Sequence, residues 1–366
     1  MRHHREVTSL SPPVPDSMQA VVVTGYGGLE TLEVRQVAVP RPGRGEFLIR
    51  VQAAGLNNSD INMRLGFYGT EDDPNARTGW QRTPQHFPRI PGSDVAGRVV
   101  AVGAGVPTAH IGREVLLYPF RSSGDPDAEH MAPDILYLGA DVDGGYAEYV
   151  SWPAALCYPL PLPDVVRSAA VPVSGLTAWN MVGRSGAGPG NVVVVTGATG
   201  GVGSYAVQIA ARVCGAIVIA LAGDPARADE LVGLGATQVV SYRSPAFEEE
   251  LMEATDGRAD MVLDVVGAPL LGVAMRALRV GGTFVTVGSA GGAMAQLDVR
   301  TLYLRHLTLI GCTLGSRADF LALLSAVASG QVVPIVAQTF SLKQARAAQE
   351  YFLQRGGVGN VVLLPD

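Results

Sequence analysis

Residues 192–222 form the most restrictive stretch of this 366-residue chain: the apolar run VVVVT, the turn GATGGVG, the Ala-rich SYAVQIAARVCGA and a second apolar run, IVIALA. Both runs are short and largely β-branched, while the segment between them is Ala-rich, which reads as strand, turn, helix, strand. Two strands joined through a helix pair in parallel, so the stretch is a βαβ unit. Its turn meets three physical demands: a sharp bend, a place where backbone approaches a ligand without a Cβ, and close packing of helix on strand. Ala198-x-Gly200-x-x-Gly203 meets them, with Ala at the usual first glycine position and Gly197 just before it. The backbone N–H groups of Gly201, Val202 and Gly203 then lie at the helix N-terminus, where they and the helix dipole favour an anion. A dinucleotide phosphate is the expected occupant.

The same alternation continues downstream. TQVVSY, ADMVLDVVG, GGTFVTVGS and LTLIGCTLG read as further strands, with helices DPARADELVGLG, SPAFEEELMEAT, PLLGVAMRAL and RADFLALLSAVAS between or after them, and the first helix is read from Gly203 to Cys214. Six parallel strands with helices between them predict a doubly wound sheet. From Met18 to about Cys157 the apolar runs are short and broken by Gly and Pro, the rhythm of a β-rich domain with long loops. Residues 1–17 are polar and are expected to be a flexible tail, and the β-rich piece after residue 335 is expected to return to the first domain. The expected division is therefore 18–158 with 335–366, and 159–334.

Composition closes off other classes. A net charge of −6 without any basic block argues against a nucleic-acid surface. No apolar run reaches the length of a membrane span, and the N-terminal residues lack the apolar core of a secretion signal. Cys157, Cys214 and Cys312 are too scattered for a disulfide framework, which suits a reducing, cytoplasmic setting. The six histidines show no ligand spacing. At the end of the second strand, an acid would bind a ribose 2′-hydroxyl, whereas a cation accommodates a 2′-phosphate. Here Ala222 and Gly223 end the strand and Arg227 follows, with Tyr242 and Arg243 at the end of the third strand. NADP(H) is the expected cofactor, although Asp224, one step beyond, could reach a ribose hydroxyl.

AAGLNNSDI, FPRIPGSDVAGRVVAVGAGV, GGYAEYV, VSGLTAWNMV, VTGATGGVGSYAVQIA and GGTFVTVG together resemble the medium-chain dehydrogenase/reductase superfamily from Met18 onward. The resemblance implies an α/β protein: a GroES-like β-rich catalytic domain, a Rossmann domain inserted into it, and an active-site cleft at their junction. It also implies a homodimer joined at the Rossmann sheet edge, with LTLIGCTLG as the pairing strand. In the zinc-dependent branch a Cys follows the AAG segment and a His stands in a Gly-His-Glu string. This chain has Asn57 and Ser93 there, and lacks the four close cysteines of a structural zinc lobe. It is therefore similar to the zinc-free branch, the quinone oxidoreductases and 2-enoyl thioester reductases, in which hydride from NADPH enters an activated C=C bond or a quinone.

Within that resemblance Tyr68 matches a proton-donating Tyr of the enoyl reductases, and Asn57 is an amide donor to substrate or nicotinamide ribose. Thr177 matches a hydroxyl near the nicotinamide, with Ser174 a neighbour of the same kind, and Gly288 and Ser289 fall where backbone passes that ring. Asn62 replaces the Tyr that many quinone reductases carry, and Asp60 reads as a turn-stabilising residue. Two polar stretches, 70–86 and 121–143, flank the expected cleft. Trp80, Arg82 and Tyr137 lie within them, with packing on their own domain the plainer expectation for each. A tailoring reaction on an unusual substrate, or cofactor binding without turnover, is compatible with the same residues.

Overall fold

The computed structural model describes residues 14–68, 85–125 and 128–365. Trp80, Arg82 and most of the first polar stretch lie outside them. The βαβ rhythm is realised as a six-stranded parallel sheet in the order Gln238–Ser241, Ile217–Ala222, Val192–Val195, Ala259–Asp264, Leu278–Thr286, Thr308–Gly311. Chain order along this sheet is 3-2-1-4-5-6, and it reverses between Val192–Val195 and Ala259–Asp264. At such a switch point the connections leave to opposite faces and open a crevice beyond the strand ends. Both faces are covered, as a parallel sheet requires. Val193 and Val195 join the larger core, and Val194 joins a second core with Leu251, Leu270 and Phe284.

The first crossover helix begins at Gly201 rather than Gly203 and is α-helical to Gln208, after which Ile209–Val213 form a π-turn. Cys214 N–H bonds to Ile209 O and Ala216 N–H to Ala210 O, so the wide turn delivers the chain to Ile217.

The second lobe is built on Glu46–Leu56, whose register with three neighbours sets the rest. It pairs antiparallel with Asp94–Val102, Tyr149–Pro153 and the C-terminal Asn360–Leu364. The last pairing returns the chain end to the β-rich lobe, and Val336–Ser341 lies parallel outside it. Residues 172–185 form the helix that lies between the lobes, starting at Pro172 and closed by Gly186 in a left-handed conformation. Within the second polar stretch, Glu129 is fully buried and receives two hydrogen bonds from Arg317, at 2.7 and 3.1 Å, at the start of helix Arg317–Ala328. None of the helices among the described residues is long and apolar enough to cross a membrane.

Candidate active site

The lobes enclose a cleft of about 380 Å³. From the β-rich lobe come Asn57, Ser59, Asn62, Tyr68 and Tyr137; from the parallel-sheet side come Thr177, the turn Gly200–Gly203, Gly288 and Ser289. Thus Asn57, Tyr68, Thr177, Gly200, Gly201, Val202, Gly203, Gly288 and Ser289 meet in one space. Ala198 is buried beneath the turn, and Gly223, Arg227 and Tyr242 stand apart at the ends of the second and third strands.

The turn has the shape of an anion cradle. A Cβ on Gly203 would run into the Gly197 carbonyl oxygen and lie 2.8 Å from Ala198 Cα, so this glycine serves packing of the helix on the strand. A Cβ on Gly200 would meet nothing closer than Gly197 O at 3.4 Å, so this glycine leaves open space on the cleft side. Gly200 is the N-cap and has no side chain to offer. The N–H groups of the first helical turn have no intrahelical partner, and they fit a phosphate. A dinucleotide would be held by this turn, with its nicotinamide end toward Thr177, Gly288 and Ser289.

Asn57 caps helix Asn58–Arg64, and Asp60 closes the capping box by accepting from Asn57 N–H at 2.9 Å. Asp60 also accepts from Tyr146 OH at 2.9 Å and Gly92 N–H at 3.2 Å, which is the turn-stabilising role its position suggested. The Asn57 side chain is engaged: Nδ2 donates to Asp94 Oδ2 at 2.9 Å, and Oδ1 lies 3.3 Å from Ser174 Oγ. Ser93 Oγ donates to Leu138 O at 2.7 Å. Burial raises Asp60 to about 6 and Asp94 to about 8, against the donors that would lower them.

Tyr68 is half-buried, and Asn62 Nδ2 donates to its oxygen at 3.2 Å. Burial pushes its phenol up, so the proton stays on at neutral pH, and the Asn62 bond steadies the phenolate that forms if the proton leaves. At the far end, Tyr242 lies over Gly223, where a Cβ would come within 2.7 Å of its Cζ and 3.3 Å of Arg243 Nε. Arg227 is already committed to Glu230 at 2.8 Å and to Gly356 O at 3.0 Å. Asp224 accepts from Ala226 N–H at 3.0 Å and caps its own turn.

Sequence reasoning left Asp94 without a task and passed over the C-terminal wall of the cleft, Tyr351, Phe352, Gly356, Gly357 and Gly359. The Gly-rich RGGVG string was the available signal for the latter. Tyr137, 2% exposed, reaches the cleft wall from the short strand Leu136–Tyr137, facing Ser93 and Ser59. Among the described residues no group of three or more His, Cys, Asp or Glu is placed to hold a metal ion.

Two families match: the alcohol dehydrogenase GroES-like domain over residues 43–162 and the zinc-binding dehydrogenase family over residues 201–329. An NAD-dependent alcohol dehydrogenase of Sulfurisphaera tokodaii is 30% identical, covering 91% of this chain and 96% of its own. A quinone oxidoreductase of Lama guanicoe is also 30% identical, covering 95% and 97%. A solved structure from Sinorhizobium meliloti 1021, named as a candidate alcohol dehydrogenase, is 41% identical with a TM-score of 0.90, covering 96% of this chain and 98% of that one.

Two expectations follow from this geometry. Gly200→Ala should fold normally and weaken dinucleotide binding by about tenfold or more through lost approach, whereas Gly203→Ala should destabilise the fold itself by about 1–3 kcal/mol; fluorescence titration and thermal unfolding separate the two. Asp60 and Asp94 keep their protons when folded at pH values where the unfolded chain, near 3.8, has released them. Folding therefore takes up protons, and stability falls as pH rises from about 4 toward about 6 and 8. The unfolding midpoint of Asp94→Asn should fall less than that of wild type between pH 5 and 8.

Proposed function

This chain belongs to the medium-chain dehydrogenase/reductase superfamily, and from that premise we propose that it is an NADPH-dependent, zinc-independent oxidoreductase acting on an activated C=C bond (enone or enoyl thioester) or a quinone. The observation that carries the reading is the convergence of a protonated phenol, Tyr68, with the phosphate turn and the Gly288–Ser289 backbone on one cleft. A bound reduced nicotinamide would supply hydride to the distal carbon of the acceptor. The chain's part is to hold the acceptor against that ring, stabilise charge on its oxygen, and give a proton to the α-carbon from Tyr68, which regains one from water. Hydrogen-bond donors aimed at such an oxyanion are worth about 3 kcal/mol each.

The zinc-independent part rests on donor chemistry. Zinc sites use thiolate, imidazole and carboxylate, while Asn57 and Ser93 are neutral oxygen and nitrogen groups already bonded to Asp94 and Leu138 O. The NADP(H) part is supported by Tyr242 and Arg243 beside Gly223, with no carboxylate among the last residues of that strand. A second reading, NAD(H) with an alcohol–carbonyl pair, is favoured by the name of the Sulfurisphaera relative and by Asp224.

A second copy of this chain is the proposed partner. Thr308–Gly311 ends the parallel sheet, and Leu309, Val280, Val299, Tyr303 and Leu304 are exposed on or near it. An apolar open edge invites pairing, and a two-fold axis there extends the sheet and closes the assembly. Light scattering should give the dimer mass, and Leu309→Lys should shift it toward monomer.

The deciding experiment offers NADPH or NADH with a 1,4-quinone, a 2-alkenal and a crotonyl thioester, and NAD⁺ or NADP⁺ with alcohols, following nicotinamide absorbance. Oxidation of NADPH by at least one of the three acceptors is expected; turnover confined to NAD⁺ and alcohols establishes the second reading. With a C=C acceptor, Tyr68→Phe should lower turnover by about 10²-fold or more. Unchanged turnover removes Tyr68 as the proton donor.

A further inference from the structure

Asp94 is 1% exposed and opens strand Asp94–Val102 behind the wall of the cleft. Its two oxygens reach different lobes. Oδ1 accepts from Val173 N–H at 2.8 Å, in the first turn of the helix that brings Ser174 and Thr177 to the cleft. Oδ2 accepts from Asn57 Nδ2 at 2.9 Å. Beyond Asn57 the line continues through Ser174, whose Oγ lies 2.9 Å from Asn360 Oδ1 and 3.3 Å from Asn57 Oδ1. A hydroxyl has one proton to give. Asn360 takes the shorter bond, and the Asn57 oxygen keeps capacity for a further donor on the cleft side.

We propose that Asp94 is a positioning residue for hydride transfer: by holding the Asn57 amide and the start of helix Pro172–Ser185 at once, it fixes which end of that amide faces the cleft and where Thr177 stands opposite it. Once the Asp94 carboxyl is ionised, above the value of about 8 to which burial raises it, both of its oxygens accept and the consequence is specific to polarity as well as shape; while protonated it offers one donor and one acceptor, as an amide does. In Asp94→Asn the new side chain can accept from Val173 only by turning its own NH₂ toward Asn57. Asn57 must then rotate to offer oxygen, and its NH₂ replaces the oxygen beside Ser174. The reciprocal exchange, Asn57→Asp with Asp94→Asn, restores an acceptor there: Asn at 94 accepts from Val173 and donates to Asp at 57, whose second oxygen faces Ser174.

The inference rests on the hydride-transfer reading, so the test carries a readout that does not need turnover. Reactive groups displaced by as little as 1 Å lose about 10²-fold in rate. At about pH 9, where the Asp94 carboxyl is ionised, Asp94→Asn should therefore lower kcat by about 10²-fold with KM for NADPH within about threefold of wild type, and the double exchange should recover at least about tenfold. In parallel, the emission maximum of bound NADPH, or of NADH if only that binds, should move in Asp94→Asn and return toward wild type in the exchange.

Wild-type kcat and emission in Asp94→Asn overturn the proposal, as does a loss that the exchange leaves unrepaired in a chain with a wild-type unfolding midpoint. Should Asp94→Asn not fold, the exchange decides alone: kcat within about tenfold of wild type supports the proposal, and a loss beyond about 10²-fold overturns it. If wild type binds a reduced cofactor but consumes none with any acceptor, the functional reading fails while the emission comparison still judges Asp94. A wild type that binds neither cofactor overturns both.

Discussion

Two carboxyl groups buried side by side at the junction of the lobes set the local geometry on which the cleft depends. Burying a carboxylate costs several kcal/mol unless it is paired or supplied with donors. Neither Asp60 nor Asp94 has a cation against it; the causes that lower their pKa values are hydrogen bonds, and desolvation outweighs them. Three donors converge on Asp60 and two on Asp94, and they come from helix Asn58–Arg64, the turn at Gly92, the Tyr146 ring and helix Pro172–Ser185. Moving any one of these elements leaves a buried acceptor or donor unmatched. Of these five bonds the one from Val173 N–H to Asp94 joins the lobes, so the arrangement ties the start of helix Pro172–Ser185 to the β-rich lobe, at a cost in stability that grows with pH.

Much of the architecture was legible because it is written in local patterns. The β-branched runs, the glycine spacing and the Ala-rich helices between them determine a parallel sheet almost residue by residue, and the six strands appear where the periodicity places them. The start of the first crossover helix was read two residues late, because glycines look like turn when no neighbouring strand is in view. The family resemblance brought Asn57, Tyr68, Thr177, Gly288 and Ser289 forward, and these share the cleft.

What stayed illegible involves residues far apart in the chain. Asp94 is bonded to Val173, 79 positions away, and Ser174 to Asn360, 186 positions away. No sequence period reports such pairs. Asn62 was noted only as a departure from the quinone-reductase pattern, yet it donates to Tyr68 six positions on, a spacing that neither helical nor strand periodicity singles out. Its bond holds the Tyr68 hydroxyl where that ring lines the cleft.

Arg227 shows how a residue of suitable charge can have a prior engagement. The sequence offers it freely to a 2′-phosphate, but it holds Glu230 and reaches across to Gly356 O. Its pair with Glu230 is exposed, with side chains 33% and 48% accessible, and such pairs contribute at most about 1 kcal/mol. Were the cofactor to carry a 2′-phosphate, that group's charge of close to two would compete with this carboxylate. The guanidinium has five N–H groups in a planar fork, so it can turn one edge to a phosphate while the other stays on Gly356 O. Arg243 and Tyr242, which no described carboxylate engages, stand beside Gly223. Under the proposed NADP(H) reading, a 2′-phosphate would meet Tyr242 and Arg243 beside a strand end that carries no carboxylate, while Arg227 is already tied to Gly356 O of the C-terminal segment.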